Sequence, residues 1–427
     1  TLSKEALDSS VRNMLNLIIK TPTFKGEYKN VDYQTKITLS KKTAKEGARV
    51  NREVASEGMV LLKNEKKSLP FKGVKKVGVA GENAVVDLAQ SKLGIIIGGG
   101  GSAQVNVDQK NVVSLVQGLK NADYAVVDSI NGKKVIEGLS KNDAVNLAKN
   151  TDIGLVFIGR QSTEGMDRPD MSMKPVEIQL IKDLSEAYHT EGKKLVVVLN
   201  VGAPIEVANW SDYADSILLA WQPGQEGGNA IADVLSGKVN PSGKLPVTFP
   251  VKYSDVPSYG NFPGDTVKNV VHYTEGIYVG YRYYDTKKII PAYPFGHGLS
   301  YTDFAYSNLK LSSAKYLLSK NEPLSISMDV TNIGPVAGKE VVQLYIHDQN
   351  SKLERPFKEL KGFKKIYLKP GQTKKVTFTI DKRALSAFDD KLNKWIAEPG
   401  KFTVLIGSSS QDIKQEAEFM GVGKDVN

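Results

Sequence analysis

The feature that most constrains this fold is a series of short, uninterrupted apolar runs with helical stretches between them. The runs occupy residues 77–80, 124–127, 153–158, 195–199 and 216–220. A strand that is apolar at every position is typical of a parallel sheet covered by helices on both faces. Helical periodicity fills the gaps near residues 140–149, 176–190 and 226–236. The alternation predicts a mostly parallel α/β sandwich with right-handed crossovers.

From about residue 305 the pattern changes to strict alternation of apolar and polar residues. Alternating stretches lie near residues 324–330, 342–346, 376–380 and 402–406, and turn sequences such as NIGP, KPGQ and EPGK separate them. Period-two alternation indicates strands with one buried face, and this spacing is typical of an immunoglobulin-like β-sandwich. The fold class is therefore α/β, with an all-β sandwich after it.

These patterns divide the chain into four regions. Residues 1–42 hold an amphipathic helix over 3–20, which Ser3 can cap, and a polar linker. Residues 43–236 form the α/β sandwich domain. Residues 237–304 are rich in proline and tyrosine and predict an extended segment that wraps around it. Residues 305–427 form the β-sandwich.

Composition excludes several classes of function. The net charge is +10, but the lysines are scattered singly and in pairs, which indicates solvated surface and no nucleic acid partner. The absence of cysteine excludes disulfides and a catalytic thiol. No apolar stretch is long enough to span a membrane, and the first residues do not resemble a signal peptide, so the compartment stays open. His272 and His297 are isolated and predicted to be structural, so we expect no metal site.

The loop after the run at 153–158 is the first candidate for chemistry. In open α/β sheets, ligands bind where the strands end, and here the loop over 160–175 carries Glu164, Gly165 and Arg168. A glycine beside the carboxylate permits close approach, and Arg168 can hold the loop or tune a neighbouring acid. A solvated charged loop is the alternative. Glu226, at another strand end, is the second candidate acid, although capping the helix after it is the favoured prediction.

Two further motifs have open interpretations. The glycine-rich loop at 98–101 lacks the lysine-serine or lysine-threonine pair of a P-loop, so it suits close approach to a sugar or a neighbouring domain, with Ser102 and Gln104 as ligand contacts. A plain loop is the alternative. The tyrosines Tyr278, Tyr281, Tyr283 and Tyr284 are predicted to form a packing cluster, because several of them alternate along one short strand, and stacking on sugar is the alternative.

The motif RQSTEGMDR over residues 160–168 resembles the acid/base loop of bacterial β-glucosidases of glycoside hydrolase family 3. The same family pattern continues in GKKLVVVLNVGAPIEVANW, LLAWQPGQEGGNAIADVLSGKVNPSGKLPVTFP, YVGYRYYD and YPFGHGLSYT, so the resemblance covers nearly the whole chain. It implies that Glu164 is the general acid/base and that no cofactor is needed. It also implies substrate contacts from Ser102, Gln104, Met166, Asp167 and Arg168.

The resemblance further implies a retaining, exo-acting β-glucosidase that removes non-reducing terminal β-D-glucosyl residues, or a β-xylosidase of the same family. In the family that this chain resembles, the nucleophile is an aspartate in a Ser-Asp-Trp motif on a (β/α)8 barrel. The helix at 3–20 resembles the last helix of that barrel. This chain lacks the motif, and the nearest match, Ser211-Asp212-Tyr213, is predicted to be a turn. The expected partners are a β-linked glucoside or oligosaccharide and a barrel chain or segment. A non-catalytic carbohydrate-binding or scaffold fragment is the alternative, and a dimer stays open.

The resemblance implies that the C-terminal sandwich is a fibronectin type III-like domain. No catalytic constellation lies in residues 305–427, so we expect this domain to brace the α/β domain rather than to bind substrate.

Overall fold

The computed structural model describes residues 3–27, 40–81, 84, 111–130, 133–134, 139–160, 164–165, 167–265, 267–320 and 322–423. The chain divides into two compact units, Thr1–Gly47 and Ala48–Asn427. The four regions predicted from the sequence stay a prediction. None of the described helices is both long and apolar enough to cross a membrane.

The first unit contains helix α1, Lys4–Ile18. The predicted cap is confirmed, because the hydroxyl oxygen of Ser3 accepts a hydrogen bond from the backbone N–H of Ala6 at 3.2 Å. Every residue of α1 is described, and none of its side chains is buried. Its apolar stripe, which includes Leu7 and Met14, therefore faces solvent in this chain. Helix α2, Lys41–Gly58, runs across the boundary into the second unit.

The α/β part of the second unit is built on a six-stranded sheet. Its strands are β1 (Val60–Asn64), β2 (Lys76–Ala80), β3 (Ala125–Val127), β6 (Ile153–Arg160), β7 (Lys194–Val201) and β8 (Ser216–Leu219), and a small hairpin is formed by β4 (Ser129–Ile130) and β5 (Lys133–Lys134). The order is β1-β8-β7-β6-β2-β3, and every pair is parallel except β1 with β8. The predicted mostly parallel sheet is confirmed, but sequence reasoning assigned no strand to Val60–Asn64.

Helices cover both faces of this sheet. They are α3 (Leu115–Asn121), α4 (Lys141–Asn150), α5 (Pro175–Thr190) and α6 (Gly227–Leu235). Successive residues of β7 alternate between two cores: Val197 packs with side chains of α4 and α5, and Val198 packs with side chains of α3 and α6. Burial on both faces is the reason that the strands are apolar at every position.

In the segment after α6, the tyrosines do not lie on a strand. Tyr281, Tyr283 and Tyr284 belong to a short helix, α7 (Tyr281–Lys287). The strand prediction was wrong because Gly280, at φ +55°, turns the chain into a helix, which directs Tyr284 into the interior. Tyr281 stacks on Phe295 with ring centres 4.7 Å apart, as expected of a packing cluster.

His297 ends this segment in a structural setting. Its Nε2 atom donates a hydrogen bond to the carbonyl oxygen of Leu62 at 2.9 Å, and its ring stacks on Tyr293. Burial lowers the pKa of His297 below its ordinary value, which favours the neutral ring.

The C-terminal part is the predicted β-sandwich. Its elements are β9 (Phe304–Leu311), β10 (Lys315–Leu317), β11 (Leu324–Asn332), β12 (Gly338–Asp348), β13 (Glu359–Leu368), β14 (Thr373–Ile380), α8 (Lys382–Leu385), β15 (Ala387–Asp389), β16 (Lys394–Ile396), β17 (Gly400–Gly407) and β18 (Ile413–Val422). One sheet has the order β10-β18-β17-β12-β13 and the other β14-β11-β9. Burial alternates residue by residue along β11, so the period-two prediction is confirmed.

Candidate active site

The site candidates lie at the carboxyl edge of the sheet. Strands β2, β6, β7 and β8 run in the same direction, so the loops that follow them emerge at one edge. Because helices cover both faces, this edge is where a ligand can approach the domain. The loop between β6 and α5 carries Glu164.

Glu164 lies in a turn and is exposed to solvent. The next residue, Gly165, has φ +77°, a conformation that side-chain-bearing residues rarely adopt. The sequence pair Glu-Gly therefore lies in a tight turn at the surface. Asp167 is also exposed, and both belong to a loop whose remaining half is well anchored.

A buried ion pair joins the two ends of this loop. The guanidinium of Arg160, the last residue of β6, donates to Glu177 in the first turn of α5, with Nη1 to Oε1 at 2.8 Å and a second bond from Nη2 to Oε2. The side chains of Arg160 and Glu177 are only 14% and 8% exposed. Glu177 also accepts the backbone N–H of Lys174 at 3.0 Å. Such a bidentate pair fixes both position and orientation.

Sequence reasoning did not identify this pair, although Pro175 at the first helical position and Glu177 in the first turn, which mark the start of α5, were usable signals. The partner, Arg160, could not be read from the sequence, because it lies 17 positions before Glu177, on the other side of the whole loop.

Two contacts fasten the second half of the loop to the neighbouring strand-end loop, which follows β7. Arg168 Nη2 donates to the carbonyl oxygen of Pro204 at 2.7 Å, and the carbonyl oxygen of Met171 accepts from the backbone N–H of Glu206 at 2.7 Å. Met173 is buried in the core. Burial lowers the pKa of Arg168 from its ordinary value and the nearby Arg160 adds to this, whereas Asp170 opposes it.

The structure brings part of the predicted site together. Glu164, Asp167 and Arg168 share one loop. Arg168 holds that loop through its bond to Pro204, which was one of the two roles predicted for it. Ser102, Gln104 and Met166 lie outside the described residues, as does the glycine-rich loop at 98–101. All six assignments as site residues stay predictions.

The second candidate acid has a different environment. Glu226 is at the N-cap position of α6, as predicted, but its side chain bonds no backbone N–H of that helix. Instead Glu226 Oε2 accepts from Asn229 Nδ2 at 2.7 Å, while its backbone N–H donates to Asn51 Oδ1 at 2.8 Å. The carboxylate is thus committed to contacts within the domain.

Two other sequence features lie away from this edge. Ser211–Tyr213 forms one turn of 3-10 helix just before β8, so Asp212 is at the opposite, amino edge of the sheet. Over the described ranges, no three histidine or acidic side chains are grouped so that they could hold a metal ion.

Comparison with known proteins decides the family. The model of the glycosyl hydrolase family 3 C-terminal domain matches residues 59–281, which include all six strands of the α/β sheet. This chain belongs to glycosyl hydrolase family 3. The model of the fibronectin type III-like domain matches residues 340–410 within the sandwich.

Curated family 3 relatives include thermostable beta-glucosidase B of Acetivibrio thermocellus, which is 40% identical over 421 residues, covering 96% of this chain and 52% of the relative. Beta-glucosidase BoGH3A of Bacteroides ovatus is 38% identical over 410 residues, covering 88% of this chain and 52% of the relative. The chain therefore spans about half the length of these family 3 relatives.

Solved family 3 structures show the same arrangement. Beta-glucosidase 3B from Thermotoga neapolitana in complex with glucose superposes with a TM-score of 0.84 at 37% identity, covering 100% of this chain and 59% of the other. The GH3 beta-glucosidase of Bifidobacterium adolescentis has a TM-score of 0.80 at 34% identity, covering 98% of this chain and 58% of the other. The fold predicted from the resemblance is confirmed.

Proposed function

We propose that this chain supplies the general acid/base, Glu164, of a retaining β-glycosidase, most directly a β-glucosidase. The observation that carries the proposal is that Glu164 is exposed on a loop whose ends are fastened at the carboxyl edge of the sheet. A carboxyl group held in this way can reach a substrate bound by another part of the enzyme. The names of the relatives, which are β-glucosidases, support the reaction class.

The proposed reaction has two steps. First, a carboxylate nucleophile attacks the anomeric carbon while Glu164 gives its proton to the departing glycosidic oxygen. Second, water attacks the glycosyl-enzyme intermediate, the carboxylate of Glu164 takes a proton from that water, and the nucleophile leaves. Two inversions at one carbon give retention. In such enzymes the two carboxyl groups lie roughly 5–5.5 Å apart, so the nucleophile must approach Glu164 closely.

The nucleophile is proposed to come from a (β/α)8 barrel, on a separate chain or on another segment of the same polypeptide. The sequence contains no Ser-Asp-Trp motif. Its nearest counterpart, Asp212, lies at the amino edge, far from the loop that carries Glu164. The proposed substrate is a β-linked glucoside, cut at the non-reducing end, and a β-xyloside is the alternative within the family.

The test uses a chimera in which this chain replaces the matching part of Thermotoga neapolitana beta-glucosidase 3B. We expect Glu164→Ala to lower the rate on cellobiose by about 10²–10⁴-fold, since general acid catalysis contributes that much. The first step on an activated aryl β-glucoside should survive, because such a leaving group needs little protonation. Added azide should restore turnover by attacking the intermediate without a general base.

Glu226→Ala is the matched comparison, because Glu226 is the other strand-end carboxylate. The assignment fails if Glu164→Ala cleaves cellobiose at near the wild-type rate and Glu226→Ala does not. The non-catalytic alternative is favoured if the 427-residue chain alone binds cello-oligosaccharides in calorimetry and the chimera has no activity.

A further inference from the structure

The segment after β8 and α6 exposes an unusual density of large apolar side chains. Eight of them lie between residues 253 and 279, among them Tyr259 and Phe262 at 53% exposure each, Val267 at 91% and Tyr273 at 81%. Single exposed apolar residues are ordinary, but a concentration of them marks an interaction surface. We name residues 253–279 the aromatic surface.

The aromatic surface is one folded patch rather than a stretched strand. Asp265 and Val270 pair as an antiparallel bridge, which folds the segment back on itself. The side chain of Asn261 donates a hydrogen bond to the hydroxyl of Thr274, joining the two arms of this fold. Near the start, the rings of Tyr253 and Tyr259 meet edge to face at 5.1 Å. The exposed side chains are therefore held together in space.

One buried carboxylate oxygen within the aromatic surface has no hydrogen-bond partner among the described residues. Glu275 Oε2 is buried, and across the described ranges no group donates a hydrogen bond to it. Buried acceptors are nearly always satisfied in folded proteins, so an exception calls for a donor from outside. A lysine or arginine would satisfy it best, because a charge-assisted bond is the stronger kind.

The aromatic surface is continuous with the loop that carries Glu164. The backbone N–H of Tyr253 donates to Glu206 Oε1 at 2.6 Å, and the backbone N–H of Glu206 donates to the carbonyl of Met171 at 2.7 Å. Two hydrogen bonds thus lead from one end of the surface to the anchored half of the acid/base loop. Whatever approaches Glu164 from this side also approaches the aromatic surface.

We propose that the aromatic surface is a docking site for the part of the enzyme that carries the nucleophile, and that Glu275 receives a lysine or arginine from it. This inference rests on the proposed function for the identity of the partner. The solved Thermotoga neapolitana enzyme contains a further part, since this chain covers 59% of it. The nucleophile must come roughly 5–5.5 Å from the carboxyl of Glu164, which brings its carrier to this face.

Hydrogen–deuterium exchange tests the docking directly. Backbone amides of residues 253–279 should exchange more slowly in the chimera than in the 427-residue chain alone, by about tenfold or more. Equal exchange in both proteins would overturn the proposal. If the chain alone is already protected there, and sedimentation shows a dimer that Tyr273→Ser dissociates, the occupant is a second copy and the proposal is wrong.

Glu275→Gln gives a second readout that does not depend on exchange. In the chain alone its Tm should equal the wild-type Tm, because Glu275 Oε2 has no hydrogen-bond partner among the described residues, whereas in the chimera its Tm should fall by about 2 °C or more. An equal loss in both proteins would place the partner of Glu275 within the chain and overturn the proposal. Glu191→Gln, at the opposite edge of the sheet, and Phe363→Ser, an exposed aromatic residue on β13, are the matched controls.

These outcomes separate docking from catalysis. Slower exchange at the aromatic surface in a chimera that has no activity would support docking while the proposed function fails. An active chimera that retains configuration but shows no protection at residues 253–279 would do the reverse.

Discussion

At the scale of single residues, the pair Arg160–Glu177 joins the two ends of the loop that carries Glu164, the proposed acid/base. Both partners are nearly buried and joined by two hydrogen bonds, so each charge depends on the other for compensation. Removing one partner of a buried pair leaves an unpaired charge, which typically costs about 3–5 kcal/mol.

We therefore expect Arg160→Ala to lower the free energy of unfolding by about 3 kcal/mol, as measured by urea denaturation. The double variant Arg160→Ala with Glu177→Ala should lose less than the sum of the single changes, because no unpaired charge remains. Lys141→Ala, which removes a surface pair with Glu186 whose side chains are 78% and 72% exposed, should leave stability unchanged. Additive losses from Arg160 and Glu177 would contradict the coupling.

At the scale of elements, the end of α2 is tied to two strands of the β-sandwich. Glu57 accepts hydrogen bonds from Lys339 on β12 and from Lys365 on β13, the latter at 2.6 Å. Burial raises the pKa of Glu57, but the two lysines outweigh burial, and the pKa lies below its ordinary value. Three elements from two parts of the unit thus share one carboxylate, which supports the bracing role expected for the sandwich.

The lowered pKa of Glu57 predicts a pH-dependent contribution to stability. A carboxyl group with a depressed folded-state pKa stabilises the fold fully above its unfolded value, ordinarily 4.5, and the contribution disappears as pH falls through the folded value. Between pH 7 and pH 3, the Tm of the wild-type chain should fall more steeply than that of Glu57→Gln, and the variant should have the lower Tm at pH 7. Parallel curves for the two proteins would show that Glu57 makes no such contribution.

At the scale of the whole molecule, the proposed division of labour makes the chain dependent on a barrel. The 427-residue chain alone should hydrolyse no aryl β-glucoside above background, since a retaining mechanism needs both carboxyl groups. The chimera should hydrolyse it and release the β-anomer first, which proton NMR detects before mutarotation. Net inversion would exclude the mechanism, and native mass spectrometry of source material should find the chain together with a barrel.

The sequence by itself determined the parts of this protein that follow from local periodicity and motif. Apolar runs such as residues 153–158 must be buried on both faces, and period-two stretches such as 324–330 must be buried on one, so the two sheets could be predicted. The motif around Glu164 identified the family and the candidate loop. These features depend on neighbours in the chain, which a reader of the sequence can see.

The tertiary structure alone decided the contacts between residues far apart in the chain. Strand β1 is held at the sheet edge by β8 and by Leu299, and the loop of Glu164 is anchored by Pro204 and Glu206, none of which local periodicity can pair. The same reason explains α7, where Gly280 and the burial of Tyr284 overrode a pattern that favoured a strand. Hydrophobic pattern specifies which side of an element is buried, but only the folded chain specifies what covers it.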